Sequence, residues 1–213
     1  MERYTLLLSA EDGVVLFDYH RRRLNPDGDP AVDRAFARFA RETPPGVHAV
    51  WVGEGGALRS ESRGGSRLFE GMPARFVVSP VAGGSGAAPK PSPPSPYDVV
   101  RADGVATLLT SADGTEIYEA CVAAVLGWDG ERIVCVRADR PRVWSTGEAA
   151  VREHLRVTEA PLAADAATPL LLVNAVRGTC AVTLPGRDAF PAGPRADVER
   201  LFGKLTGGRG RVV

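Results

Sequence analysis

The stretch that decides the fold is LLLVNAVRGTCAV, residues 170–182. One apolar run ends at Asn174, the segment AVRG interrupts it, and a second apolar run follows Gly178. Apolar runs of about four to eight residues between turn signals are typical of buried strands, and glycine suits a sharp bend. The stretch therefore predicts a buried strand, a bend and a second strand.

The residues around this stretch predict more strands and two helices. Residues 105–138 hold three β-rich runs, separated by turns at Asp113-Gly114 and Asp129-Gly130. STGEAAVREHL, residues 145–155, predicts a helix with Ser145 or Thr146 near its N-cap. RADVERLFGKL, residues 195–205, predicts a terminal amphipathic helix.

The N-terminal part predicts hairpins around one helix. Residues 3–20 and 47–63 have the pattern of two β-hairpins, and residues 74–81 that of a further strand. Between the hairpins, Asp29 can cap a helix that has Pro30 in its first turn. The expected fold class is therefore α+β.

A segment rich in Gly, Ser and Pro divides the chain. Residues 82–96, AGGSGAAPKPSPPSP, break both helix and sheet and predict a linker. We expect a small α+β lobe at residues 1–81 and a larger β-rich lobe with helices at residues 97–213.

Composition argues against several classes of protein. The chain has 213 residues, with 26 basic and 26 acidic side chains, and this balance does not favour binding to nucleic acid or to an anionic membrane. No apolar run approaches the roughly 20 residues that span a bilayer. The three cysteines are far apart and no ligand spacing for a metal occurs, so we expect reduced thiols, no metal site and a cytoplasmic protein.

Lys90 is one of two lysines in a chain that otherwise uses arginine for positive charge. Unlike arginine, lysine can become a neutral amine near pH 7, so it can form a Schiff base or act as a general base. Lys90 is therefore a candidate catalytic residue. The alternative is a solvated lysine in a Pro-rich linker.

Five segments resemble, in order, those of one family. They are YHRRRL (19–24), FVVSPV with KPSPPSPYD (76–98), SADGTEIYEACVAAVLGWDGE (111–131), RVWSTGEAAVREH (142–154) and LLLVNAVRGTCAV. Together they resemble the class IV aminotransferases, which are pyridoxal-phosphate (PLP) proteins of fold type IV. The aminodeoxychorismate lyase branch is the most similar.

The resemblance implies a role for each of the main charged residues. Lys90, with Tyr97 seven residues later, matches the Schiff-base lysine. Arg23 matches the arginine that holds the cofactor phosphate. Glu119 matches the acid that pairs with the pyridinium nitrogen, and Glu116 is its competitor because the spacing from the preceding glycine differs by one residue.

The resemblance also implies contacts with the cofactor phosphate. Ser145, Thr146 and Gly147 occupy the family's phosphate-binding turn into a helix. Asn174 and Ala175 match the strand–bend–strand segment that closes the cofactor pocket.

Several positions depart from the family pattern. Prolines after Lys90 forbid the usual helical continuation. Ala124 replaces an asparagine, and Glu148 stands near the position of an arginine. A carboxylate at a phosphate-binding helix N-terminus is unfavourable unless it points away.

The resemblance implies PLP as cofactor, a small-molecule amino substrate and a homodimer. The expected activity is that of an aminodeoxychorismate lyase, which eliminates pyruvate and leaves an aminobenzoate. Two alternatives stay open: a class IV transaminase of amino acids, and a member that has lost PLP and acts as a binding or scaffold protein.

Overall fold

The computed structural model describes residues 2–64, 72–80, 87–88, 90, 95–102 and 104–208. Much of the predicted linker, namely residues 82–86, 89 and 91–94, lies outside the described residues.

The described residues form helices and many short strands. The α-helices are α1 Phe17–Leu24, α2 Pro30–Glu42, α3 Thr146–His154 and α4 Ala192–Lys204, with 3-10 turns at Glu54–Gly56 and Pro96–Val99. The strands are β1 Arg3–Ala10, β2 Gly13–Val15, β3 Gly46–Val52, β4 Leu58–Arg63, β5 Ala74–Val78, β6 Ala87–Ala88, β7 Ala106–Thr110, β8 Glu116–Ala120, β9 Ala124–Trp128, β10 Ile133–Cys135, β11 Arg142–Val143, β12 Val157–Glu159, β13 Leu162–Ala163, β14 Leu170–Asn174, β15 Gly178–Ala181 and β16 Thr206–Gly208. This mixture of helix and sheet confirms the predicted α+β class.

The N-terminal sheet has the order β16-β2-β1-β3-β4 and is antiparallel. Helix α2 covers it and buries Val32, Phe36 and Ala40 in a cluster with Leu7 of β1. The predicted cap forms, because the carboxylate of Asp29 accepts a hydrogen bond from the N–H of Ala31 at 2.8 Å.

The remaining strands form two larger sheets and a small pair. One sheet has the order β12-β10-β9-β14-β15, the second β13-β8-β7-β5, and β6 pairs with β11 alone. The stretch at residues 170–182 forms the predicted strand–bend–strand, with β14 antiparallel to both β9 and β15. Gly178 has a φ of 77° at the bend, a conformation that favours glycine. Helices α3 and α4 pack against this sheet, with Val151 and Val198 fully buried.

Two elements differ from the sequence prediction. The first predicted hairpin forms between β1 and β2, but β2 ends at Val15. The rest of the predicted second strand belongs to helix α1, which begins after Leu16, a fully buried residue with a left-handed φ of 56°. Residues 87–88 of the predicted linker form β6, which pairs in parallel with β11.

Strand pairing also crosses the predicted lobe boundary. Strand β5, assigned to the small lobe, pairs with β7 of the second part of the chain, and β16 closes the N-terminal sheet. The two-lobe division stays a prediction. Within the described residues, every helix is too short or too polar to cross a lipid bilayer.

Candidate active site

A single cavity brings together side chains from all parts of the chain. Its wall includes Tyr4, Arg23, Lys90, Glu119 and Arg177. Strands β1, β8 and β11, helix α1, the first turn of α3 and the bend after β14 each contribute to it. We call it the central cavity.

Lys90 lies in the central cavity two residues after β6. Its Nζ is 5.3 Å from the centroid of the Tyr4 ring, and Tyr4 is only 6% exposed. Burial of the amine, together with the positive charges of Arg23 and Arg177, lowers the pKa of Lys90 to about 7. A substantial fraction of the amine is therefore neutral near pH 7, which does not fit the alternative of a solvated linker lysine.

Arg23 lies in the last turn of α1, and its side chain lines the same cavity. Burial lowers the pKa of Arg23 to about 10, so the group stays charged near pH 7. The guanidinium lies 5.3 Å from the centroid of the Trp144 ring, and its buried Nε has no hydrogen-bond acceptor among the described residues. A buried, charged donor without an acceptor is costly, and an anion in the cavity would satisfy it.

Glu119 is the buried carboxylate of the cavity and is 6% exposed. The hydroxyl of Tyr97 donates to its Oε1 at 2.8 Å, and the N–H of Val143 reaches both carboxylate oxygens at 3.1 Å. Burial raises the pKa of Glu119 to about 7, and these two donors act against that rise. The carboxylate is thus held in one place by a side chain and a backbone group.

Glu116, the alternative to Glu119 as the acid of the site, does not line the central cavity. Glu116 accepts from Nε of Arg140 at 2.9 Å and is not among the residues that line the cavity. The structure thus brings Glu119, not Glu116, to Lys90 and Arg23.

The first turn of α3 contributes two of its three predicted residues to the cavity. Ser145 and Thr146 line it, and the hydroxyl of Ser145 caps the helix by accepting from the N–H of Glu148 at 3.3 Å. Gly147 instead faces the core, where an added Cβ would lie 3.0 Å from Cγ1 of Val173. Cofactor contact by Gly147 stays a prediction.

Glu148 points away from the cavity, which removes the electrostatic conflict noted in the sequence. Its carboxylate is buried, accepts from Arg142, and lies 2.8 Å from Nη2 of Arg152. The negative charge near the helix N-terminus is therefore compensated by two guanidinium groups.

The side chain of Asn174 makes hydrogen bonds that stabilise the bend after β14. The Nδ2 of Asn174 donates to the carbonyl of Val122, and its Oδ1 accepts from the N–H groups of Val176 and Arg177 at 2.8 and 3.0 Å. Ala175 is buried and lines the cavity beside it. Asn174 therefore holds the bend while its neighbours form the wall.

Sequence reasoning did not assign Tyr4, Arg101 or Arg177 to the site. All three line the central cavity. They are separated by long stretches of chain. Tyr4 and Arg101 belong to no pattern, and Arg177 stands in the matched segment LLLVNAVRGTCAV without a role assigned to it. Among the described residues, no group of three or more His, Cys, Asp or Glu side chains is placed to hold a metal ion.

Solved structures share this arrangement of strands and helices. The 4-amino-4-deoxychorismate lyase from Pseudomonas aeruginosa has a TM-score of 0.72 at 15% identity and covers 96% of this chain and 89% of the lyase. The fold is that of the class IV aminotransferases.

Two aminotransferases share the class IV fold at similar identity. The T.th. branched-chain amino acid aminotransferase complexed with N-(5'-phosphopyridoxyl)-L-glutamate has a TM-score of 0.66 at 10% identity, covering 99% of this chain and 85% of that one. The PLP-bound form of a hypothetical aminotransferase from Mycobacterium tuberculosis has a TM-score of 0.58 at 15% identity, covering 96% and 88%. By sequence, neither a family model nor a curated protein matches.

Proposed function

We propose that this protein is a PLP-dependent lyase of the aminodeoxychorismate lyase type. One observation carries the proposal: the central cavity joins the partly buried Lys90, the guanidinium of Arg23, whose buried Nε has no acceptor in the part of the chain that the structure describes, and the buried carboxylate of Glu119. The fold shared with the P. aeruginosa lyase supports the same reaction class.

The chemistry of these groups fits PLP. The aldehyde carbon needs a lysine that can be neutral, and Lys90 meets this condition. The phosphate needs hydrogen-bond donors, which Arg23 and the first turn of α3 at Thr146 would supply. The pyridine nitrogen needs an acid, and Glu119 is the buried acid of the cavity.

When bound, PLP supplies an electron sink for negative charge at the carbon that carries the substrate amine. Lys90, as a neutral amine, would take a proton from that carbon. Glu119, held by Tyr97 and Val143, would keep a positive charge on the pyridine nitrogen. The buried wall of the cavity would limit access of water. The substrate would lose pyruvate and leave an aminobenzoate.

The test uses both lysines of the chain. Purified protein incubated with PLP is expected to absorb above about 400 nm, in the visible range typical of a lysine-bound cofactor, at roughly one cofactor per chain. Lys90→Ala should abolish this absorbance, while Lys204→Ala, at an exposed position of α4, should retain it. Borohydride reduction followed by peptide mass spectrometry should find the pyridoxyl group on Lys90. A wild-type spectrum equal to that of Lys90→Ala would refute the proposal.

An amino acid transaminase is the second candidate. The T.th. and M. tuberculosis structures that share the fold are described as aminotransferases, which supports this activity with the same cofactor contacts. Product analysis separates the two: the lyase releases pyruvate from an aminated chorismate without any acceptor. The transaminase passes the amine to a 2-oxo acid such as 2-oxoglutarate.

We also propose a homodimer in the cytoplasm. Phe76 and Val78 of β5, at the edge of its sheet, are 40% and 48% exposed, and a second copy would cover them. The cysteines of the described chain are free thiols, which suits a reducing compartment. Light scattering of wild type and of Val78→Lys tests the dimer: the variant should be a monomer if β5 lies in the interface, and an unchanged mass would place the interface elsewhere.

A further inference from the structure

The amine of Lys90 lies over an aromatic ring in the central cavity. Its Nζ is 5.3 Å from the centroid of the Tyr4 ring. This distance is within the roughly 6 Å at which the face of a ring attracts a cation. Both side chains line the cavity, so the contact lies at the candidate site itself.

Other charged groups near the amine disfavour its protonated form. The guanidinium groups of Arg23 in α1 and of Arg177 after β14 lower the pKa of Lys90, together with burial. His20 of α1 is fully buried, and burial holds its pKa well below the ordinary value, so it is neutral near pH 7. Glu119 already accepts hydrogen bonds from a side chain and a backbone group. The other ionisable side chains of the cavity wall are Tyr97, Asp98, Arg101 and Cys121.

The ring of Tyr4 attracts the amine through its π face. Burial is the largest cause that raises the pKa of Tyr4, so its hydroxyl stays neutral near pH 7 and no phenolate is needed for the attraction. The face of an aromatic ring is electronegative, and its pull on a cation is stronger where water is excluded. Tyr4 is 6% exposed and therefore meets this condition.

The N-terminal sheet fixes the position of the ring. Tyr4 of β1 pairs with Trp51 of β3, and Trp51 pairs with Arg59 of β4. The two rings are 5.2 Å apart between centroids, and Cζ of Arg59 lies 4.1 Å from the centroid of Trp51 on the neighbouring strand. Cross-strand neighbours of this kind pack against each other and restrict one another. The ring is thus a fixed point, to which the long side chain of Lys90 adapts.

We propose that the ring of Tyr4 holds the amine of Lys90 in its protonated form, at the position from which it exchanges a proton with the substrate. This inference rests on the proposed function, in which the neutral amine takes a proton from the carbon that carries the substrate amine. When Nζ gains that proton it becomes a cation beside two guanidinium groups, and the ring face lowers the free energy of this charge. Tyr4 is a positioning residue, because it acts through Lys90.

The experiment measures the charge of each lysine amine in the cofactor-free protein. Trace acetylation with acetic anhydride between pH 5 and 11 modifies only neutral amines, and peptide mass spectrometry then gives the pKa of Lys90, with Lys204 as internal reference. Tyr4→Phe keeps the ring face, whereas Tyr4→pentafluorophenylalanine keeps the shape and withdraws electron density from the face. The pKa of Lys90 should be about 0.5–1 pH unit lower in the fluorinated variant than in Tyr4→Phe.

A matched control uses the same chemistry at a distant ring. Phe39 of α2 is half-buried and packs on Phe36 and His48. Phe39→pentafluorophenylalanine should leave the pKa of Lys90 at the wild-type value, and the pKa of Lys204 should be the same in every variant. A fall in the pKa of Lys90 as large in this control as at position 4 would overturn the inference.

The outcomes separate this inference from the proposed function. Equal pKa values for Lys90 in Tyr4→Phe and Tyr4→pentafluorophenylalanine would overturn the inference even if the protein binds PLP. Cofactor binding is measured separately, from the visible absorbance of wild type. A protein that binds no PLP but shows the expected difference would support the hold of Tyr4 on the amine and refute the proposed function alone.

Discussion

Removing the amine of Lys90 is expected to change how the stability of the cofactor-free protein depends on pH. The amine has a pKa of about 10.4 in an unfolded chain and of about 7 in the folded one. Between these values the unfolded chain binds one proton more, so stability rises with pH by up to about 1.4 kcal/mol per pH unit. Below about pH 7 both states are protonated, and the cost of burying the charge is present in full.

The size of the effect follows from the same values. The difference between the two pKa values gives an upper limit of about 5 kcal/mol for this contribution. We expect about 2 kcal/mol, because Lys90 is only partly buried and solvent screens part of its charge. Urea unfolding at pH 7, 8, 9 and 10 should therefore show a steeper rise for wild type than for Lys90→Met. Lys204→Met should keep the wild-type slope. If the free energy of unfolding rises equally with pH in wild type and Lys90→Met, the lowered pKa of the Lys90 amine is refuted.

Three other substitutions test the surroundings of the cavity. Tyr97→Phe removes a donor to Glu119 and should raise the pKa of that carboxyl further above its ordinary value, as measured by carbon-13 NMR titration; an unchanged or lower pKa would contradict the hydrogen bond. Gly147→Ala should destabilise by about 1–2 kcal/mol through overpacking, whereas Gly203→Ala, with open space around its helical position, should stabilise by up to about 1 kcal/mol; the same sign for both in thermal unfolding would contradict the packing. Glu148→Gln should cost about 3–5 kcal/mol in urea unfolding because it leaves a buried arginine without its carboxylate, and a loss below about 1 kcal/mol would show that the charge reaches solvent.

Elements with strong local signals could be predicted from the sequence. The predicted helix that Asp29 caps contains α2, because Asp29 and Pro30 define its start and apolar residues recur at helical spacing. The strand–bend–strand at residues 170–182 could also be predicted, since two apolar runs flank a glycine whose φ is positive.

Other elements depend on tertiary contacts that a local pattern does not contain. Helix α1 follows Leu16, whose left-handed φ is unfavourable for a leucine and whose side chain is fully buried in the core. The apolar pattern before it fits a strand equally well. Strands β6 and β16 consist of alanine, glycine and threonine, and they exist as strands because the edges of β11 and β2 accept them.

Some residues of the candidate site could be predicted from the sequence, and others could not. Lys90, Arg23 and Glu119 could be proposed from spacing and residue type, and the structure places all three in the central cavity. Arg101 could not, because arginine is common in this chain and nothing local distinguishes it. Arg177 stands in a matched segment, but the match gives it no contact in the site. The direction of Glu148 also depends on a partner, Arg142, that lies before the helix and not on it.

Strand β11 explains how a lysine in a proline-rich segment reaches a defined position without a helix. Ala88 pairs with Val143 of β11, and Lys90 follows two residues later. The N–H of Val143 also donates to Glu119, so one residue of β11 is tied to both the amine and the carboxylate. Its neighbour Arg142 is buried in an ion pair with the first turn of α3, the turn that also lines the cavity. Three of the groups that the proposed chemistry needs are therefore positioned through two adjacent residues of β11, and the strand pairing beside the amine precedes it in the chain.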